Sequence, residues 1–329
     1  MNTQKHILFG IFLLFSACVS HASNSVVTDQ EKYSFQSMIN QSPDDSTAIN
    51  LETQKDWEVT FAANFDLAHR KTNFYRSNHN TFLSQGDSRV ELWLPPGRKS
   101  LSWGPYVRFA GLVSNRSYAW ENAFLAKPGV GFQIYPFSTQ ACKESDNPFI
   151  RHLGPLRLFG EYNRLDYWGT DNTWRPDDQT RIGLEYWRAV NVNQPDQDFW
   201  WEFWSGIYRQ SANEFDPSYD SWICANSLRA GSRLADDDLL NCFSPYLVLE
   251  SSLTENSSYY WENRLLWGGG IRFDPPLKFL PREMDIGRLV FFIEYLDVAS
   301  YYKTSSGSVP NYDLRAGINL SIGRWWQYE

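Results

Sequence analysis

The sequence predicts an all-β fold: a transmembrane antiparallel β-barrel of about twelve strands, built as two six-strand repeats. Three observations carry this. A short apolar export segment opens the chain, apolar and charged residues alternate with period two along most of its 329 residues, and one half of the sequence repeats in the other. Composition fits, because aromatic residues make up 17% of the chain, including 15 Trp and 18 Tyr, and such residues suit the interfacial girdles of a barrel. A net charge of −8 without basic runs excludes a nucleic-acid partner, since phosphate neutralisation needs clustered Lys and Arg.

The apolar run ILFGIFLLFSACV at 7–19 is shorter than the ~20 residues a spanning helix needs. It follows Lys5 and His6 and precedes Ser20-His21-Ala22, a small-x-Ala cleavage site. Residues 1–22 therefore read as a secretory signal peptide. An alternative makes Cys18 a lipidated N-terminus after Phe15-Ser16-Ala17, although Phe is a poor opening residue for such a box. Residues 23–54, rich in Ser, Asn, Gln and Asp, read as a mobile periplasmic tail. The barrel is expected over 55–329.

Within it the apolar signal has the period of a strand, not of a helix. Trp57, Val59, Phe61, Ala63 and Phe65 alternate with Glu58, Thr60, Asn64 and Asp66. Trp120, Phe124, Val130, Phe132 and Ile134 share one parity, against Glu121, Lys127 and Gln133. The pattern returns with Trp261, Leu265, Trp267, Ile271 and Phe273 against Glu262, Arg264 and Arg272. A soluble sandwich also alternates. Export, aromatic density and polar residues in nearly every strand favour the barrel, which turns its polarity inward and never shows a long apolar run.

The duplication sets the strand count. Ser117-Tyr118-Ala119-Trp120-Glu121-Asn122 matches Ser258-Tyr259-Tyr260-Trp261-Glu262-Asn263, and Pro105-Tyr106 matches Pro245-Tyr246. The run 156–162 resembles 289–295, 181–184 resembles 315–318, Trp57-Glu58-Val59 pairs with Trp201-Glu202-Phe203, and 88–94 pairs loosely with 227–234. Strands are expected near 57–67, 88–94, 105–114, 118–135, 155–167, 179–189, 199–210, 227–234, 245–253, 259–273, 287–299 and 312–323. The second and eighth are short for a membrane strand of about 9–11 residues. The last strand carries an assembly signal, with Arg315, Gly317, Leu320 and Ile322 in the polar-x-Gly-x-x-apolar-x-apolar pattern that resembles the C-terminal recognition signal of outer-membrane barrels.

Pro105-Tyr106, Trp120-Glu121-Asn122, Pro128-Gly129-Val130-Gly131, Phe159-Gly160-Glu161-Tyr162 and Leu314-Arg315-Ala316-Gly317 together resemble the C-terminal barrel of the bacteriophage N4 adsorption protein A family, over roughly residues 55–329. That family is similar in layout to the barrels of exopolysaccharide export proteins. The resemblance implies a Gram-negative outer membrane and a link to polysaccharide or phage. The partners expected are outer-membrane lipids and the barrel assembly machinery, with polysaccharide or phage at the surface.

The parity opposite the aromatics supplies the candidate lumen lining, chiefly Glu121, Lys127, Arg157, Glu161, Arg181, Glu185, Glu262, Arg264, Arg272, Glu294 and Arg315. Acids and bases are nearly balanced. They either pair across strands and fill the barrel, or line a path where Arg and Glu bind sugar hydroxyls. A strongly anion-selective pore would show an excess of one sign. The function expected is therefore a passive conduit or surface component linked to polysaccharide export or to phage and glycan recognition.

The alternative is an outer-membrane lipase or deacylase, which needs Ser, His and a carboxylate converging. His69 and His79 lie near Ser77, Asn78 and Asn80, a composition ordinary for a loop, and His152 lies apart. No catalytic residue is assigned. The aromatic groups Trp200-Trp201, Tyr259-Tyr260-Trp261 and Trp325-Trp326 read as interfacial girdle in preference to sugar-stacking platforms. Cys142, Cys224 and Cys242 remain after export. The strand order puts Cys142 and Cys242 on one side of the membrane and Cys224 in an opposite loop, so a Cys142–Cys242 disulfide is expected. No Cys/His spacing suggests a metal, and no cofactor is implied.

Overall fold

An antiparallel sheet with one apolar face leaves two unpaired edges, and closing the sheet on itself removes both. This chain does so. A computed structural model describes residues 57–72, 79–94, 101–114, 123–137, 142, 145, 147, 153, 156–167, 178–192, 198–212, 219–234, 242–255, 263–275, 286–300 and 312–323. The strands are β1 (Glu58–Thr72), β2 (His79–Trp93), β3 (Ser102–Ser114), β4 (Ala123–Tyr135), β5 (Leu156–Tyr167), β6 (Asp178–Val190), β7 (Phe199–Ser211), β8 (Asp220–Ser232), β9 (Phe243–Thr254), β10 (Arg264–Phe273), β11 (Ile286–Ser300) and β12 (Tyr312–Gly323). Each pairs antiparallel with its sequence neighbours, and β1 pairs with β12 to close a twelve-stranded barrel. Both ends of the barrel chain therefore emerge at one end, called here the terminal end.

All twelve expected strands form, with shifted bounds. β2 and β8 are full-length, 15 and 13 residues. Their missing halves place Ser84, Gly86, Cys224 and Asn226 on the outward parity, where the alternation calls for large apolar residues. β4 starts at Ala123, and its pairing slips on both sides of Lys127. Pro128 lacks the N–H that a regular ladder needs, so the strand bulges there. Residues 118–122 and 259–262, the expected starts of the fourth and tenth strands, lie outside the described residues, as do the signal peptide and the tail.

Alternation sorts the side chains. Val59, Val130, Ile182, Leu247, Trp267, Ile271 and Ile293 stand outward, at 42–73% exposure, and the charged parity points inward. One outward row is polar. Ser205 donates to Asn226 Oδ1 at 2.7 Å, and Asn226 Nδ2 donates to Ser251 at 3.1 Å. Cys224 lies two residues from Asn226 on the same face, paired with Ile207 and Leu253. It is thus inside a strand, not in the opposite loop the sequence suggested. No disulfide joins Cys142, Cys224 and Cys242. The Cys142–Cys242 bridge read from the strand order is not formed in this structure; sharing one end of a barrel is not enough, since a bridge also needs the two Cα atoms within ~7 Å.

Candidate functional site

Inward side chains of a barrel meet across its lumen as well as along its wall. Twelve strands ~4.8 Å apart and tilted about 40° enclose a backbone diameter of about 24 Å. Long Arg and Glu side chains from different walls therefore reach one another.

The sheet register organises them. Tyr106 of β3 lies opposite Gly131 of β4, Gly131 opposite Glu161 of β5, and Glu161 opposite Arg181 of β6. A Cβ on Gly131 would fall on the Tyr106 ring. Glycine lets the ring lie across β4, and its hydroxyl donates to Glu161 Oε2 at 2.7 Å. Arg108 and Arg181 donate to the other oxygen at 2.8 and 2.9 Å. The same row recurs as Tyr246, Gly270, Glu294 and Arg315 on β9 to β12. A Cβ on Gly270 would again crowd the Tyr246 ring, and the Tyr246 hydroxyl donates to Glu294 Oε1 at 2.8 Å. The duplicated sequence has produced a duplicated Tyr–Gly–Glu–Arg row, facing itself across the lumen.

Around each row lies a charge network. In the first half Arg108 holds Asp87 at 2.6 Å and Arg157 holds Glu185 at 3.2 Å. Glu185 also accepts from Trp204 Nε1 at 2.7 Å. In the second half Arg229 meets Glu250 and Glu294 at 2.8 and 3.0 Å. Arg315 meets Glu250, Glu294 and Asp313, and Asp313 also takes Arg70 at 2.6 Å. Several pairs skip strands: Arg229 to Glu294 joins β8 to β11, and Arg288 to Glu202, at 3.0 Å, joins β11 to β7. The networks brace the lumen from side to side, beyond the neighbour-strand pairing that alternation alone suggests.

The two halves differ at homologous positions. Two residues past the row tyrosine stands Arg108 in one half and Val248 in the other; four residues before the row glutamate stand Arg157 and Val290. Arg157 fills its side, over the Phe159 ring at 4.9 Å and bonded to Gln133 at 3.3 Å. With Val290 in place of Arg157, the second half keeps a lumen cavity of about 240 Å3, lined in part by Val290, Glu202, Arg229, Arg288, Glu294 and Trp204. Deeper in that half Val248, Leu266, Leu296 and Val298 form an apolar cluster inside the barrel, where alternation alone suggested only polar lining.

Trp200 corrects the girdle reading. It points inward, fully buried, with the Arg272 guanidinium 3.3 Å over its ring and Tyr246 at 5.6 Å. Trp201 keeps the outward parity; residues 259–261 and 325–326 lie outside the described residues. Of the lumen residues read from the sequence, Arg157, Glu161, Arg181, Glu185, Arg272, Glu294 and Arg315 meet in these networks, and Arg264 opens β10 on the inward parity. Glu121, Glu262 and the Lys127 side chain lie outside the described residues. Reading by parity missed Tyr106, Tyr246, Asp87, Glu250 and Asp313. The repeated Pro-Tyr pair was the available signal for the tyrosines.

Gly317, Leu320 and Ile322 of the assembly signal lie in β12, opposite Ala68, Phe65 and Ala63 of β1. His69 sits on the outward parity with its ring edge against Phe82 at 5.6 Å; His152 and the His79 side chain lie outside the described residues. Among the described residues no group of His, Cys, Asp and Glu could hold a metal ion.

The site and fold define a closed antiparallel barrel with an apolar exterior and a charge-braced interior. No family model matches the sequence, and no curated protein matches it. Among solved structures, the chain is similar to the translocator domain of autotransporter NalP from Neisseria meningitidis, at 10% identity and a TM-score of 0.32, covering 91% of this chain and 96% of that one. It is similar to the loop-deleted outer membrane protein OmpT of Vibrio cholerae, at 12% identity and 0.32, covering 81% and 99%. The outer membrane protein opdK of Pseudomonas aeruginosa follows at 11% and 0.27, covering 81% and 99%. At these scores the likenesses add nothing to the geometry above.

Proposed function

We propose that this chain is an outer-membrane β-barrel of a Gram-negative cell, a narrow passive conduit or surface component that handles saccharide in polysaccharide export or in phage and glycan recognition. The observation that carries the membrane reading is the inverted polarity of a closed barrel. Large apolar residues stand outward at up to 73% exposure while Glu161, Arg157, Arg272 and Glu294 are buried inside. A 13-residue strand such as β3, at ~3.3 Å per residue and about 40° tilt, rises about 33 Å, close to the ~30 Å hydrocarbon thickness. Closure leaves no sheet edge in lipid.

Balanced ion pairs support passage of neutral hydrophilic solute over selection by charge. The test has two parts. The protein should fractionate with the outer membrane and migrate differently on gels before and after heating. In planar bilayers the purified protein should give small, weakly ion-selective conductance steps. Recovery as a soluble periplasmic protein without detergent overturns the membrane reading, and electrically silent insertion overturns the conduit.

A further inference from the structure

We propose that the cavity beside β11 is a binding site for a single neutral sugar ring. The duplication shows why a cavity exists at all. The first half occupies the homologous space with Arg157, bonded to Gln133 and Glu185, and the second half has the shorter Val290 there. About 240 Å3 remains, just under the ~300–1,000 Å3 of pockets that hold drug-sized ligands. That is room for one ring.

The lining selects the chemistry. A packing void between apolar side chains would be dry and hold nothing polar. This one combines two kinds of surface. Trp187, Trp204 and Phe292 line it half-buried and offer ring faces that gain little from water but stack on the C–H face of a pyranose. Asn64, Asn319 and Ser227 line it too and supply amide and hydroxyl groups that both donate and accept, as sugar hydroxyls do. Trp200 and Arg272 close one wall, the guanidinium stacked 3.3 Å over the indole ring.

Neutrality follows from the charges. Every charged group that lines the cavity is already held, Arg229 by Glu294, Arg288 by Glu202, Arg272 by Asp274, and Asp66 by hydrogen bonds from Asn319 and Gln85. An ionic ligand would have to break one of these pairs, whereas a polyhydroxylated neutral ring bonds to both signs without displacing either. The site rests on the proposed function only for the route by which sugar reaches the lumen.

The test uses the full-length protein in detergent micelles, titrated with glucose, galactose, mannose and N-acetylglucosamine, and separately with glucuronate. Tryptophan emission reports, since Trp187 and Trp204 line the site. At least one neutral sugar should give a saturable change, with glucuronate weaker by about tenfold, the equivalent of about 1.4 kcal/mol. Val290→Arg restores the first-half residue and should weaken the response by about tenfold or more while keeping heat-modifiable migration. If that variant fails to assemble, Asn319→Leu, which removes one bonding group without filling the space, should still weaken it several-fold. No saturable response to any of the four sugars, an unchanged response in the variant that assembles, or tighter binding of glucuronate overturns the site. Conductance without sugar binding overturns this inference alone, and sugar binding without conductance overturns the conduit alone.

Discussion

Removing the charge of Glu161 should cost much more than removing that of its duplicate, Glu294. The Glu161 side chain is 1% exposed and takes Arg108 and Arg181, themselves 15% and 17% exposed. In Glu161→Gln, Arg108 keeps Asp87 at 2.6 Å. Arg181 has no second carboxylate within 4.0 Å among the described residues and is left with the Tyr208 ring at 4.1 Å. Breaking a buried pair in this way costs about 3–5 kcal/mol. In Glu294→Gln, Arg229 and Arg315 both keep Glu250, at 2.8 and 3.0 Å. Only the excess of a charged over a neutral hydrogen bond is lost, about 1–2 kcal/mol. Equilibrium urea unfolding in micelles, followed by tryptophan emission, measures both. Adding Arg181→Met to Glu161→Gln should recover a large part of the loss, because the stranded cation is gone. A Glu294→Gln cost equal to or above that of Glu161→Gln would refute the reasoning, and so would a Glu161→Gln cost below about 1 kcal/mol.

Gly131→Val puts a side chain where the Tyr106 ring lies. It should destabilise by about 1–3 kcal/mol, and Tyr106→Ser in the same chain should relieve the clash, read by unfolding midpoint. Gly317→Asp, or deletion of 312–329, should abolish heat-modifiable barrel on gels, because β12 closes on β1 through Ala62–Thr72 and an added Cβ at Gly317 meets the backbone of Leu67 and Ala68; normal surface levels of either variant would contradict this. Cys224 lies mid-strand on the outward face, beside Leu253. In intact membranes a lipophilic maleimide should label it and a sulfonated one should not; rapid labelling by the sulfonated reagent would place that face in water.

The sequence by itself determined the class, the strand number and the inward parity of the charges. Alternation such as Trp57 to Asp66 is a local property of extended backbone, in which successive side chains face opposite ways. The repeat between Trp120-Glu121-Asn122 and Trp261-Glu262-Asn263 is equally visible without a fold. Strands two and eight were half legible, since Ser84, Gly86 and Asn226 on the outward parity hide the period. Tertiary structure alone decided the partners. Glu161 meets Tyr106 over 55 residues, and Arg288 meets Glu202 over 86, pairings fixed by closure and register that no local window contains. It also decided the fate of Trp200, which local composition reads as girdle and the lumen takes as the stacking face for Arg272. The cavity belongs to the same class of fact. The exchange of Arg157 for Val290 can be read from the aligned repeats, but whether a lost side chain leaves space or lets neighbours collapse depends on the packing of a rigid closed wall.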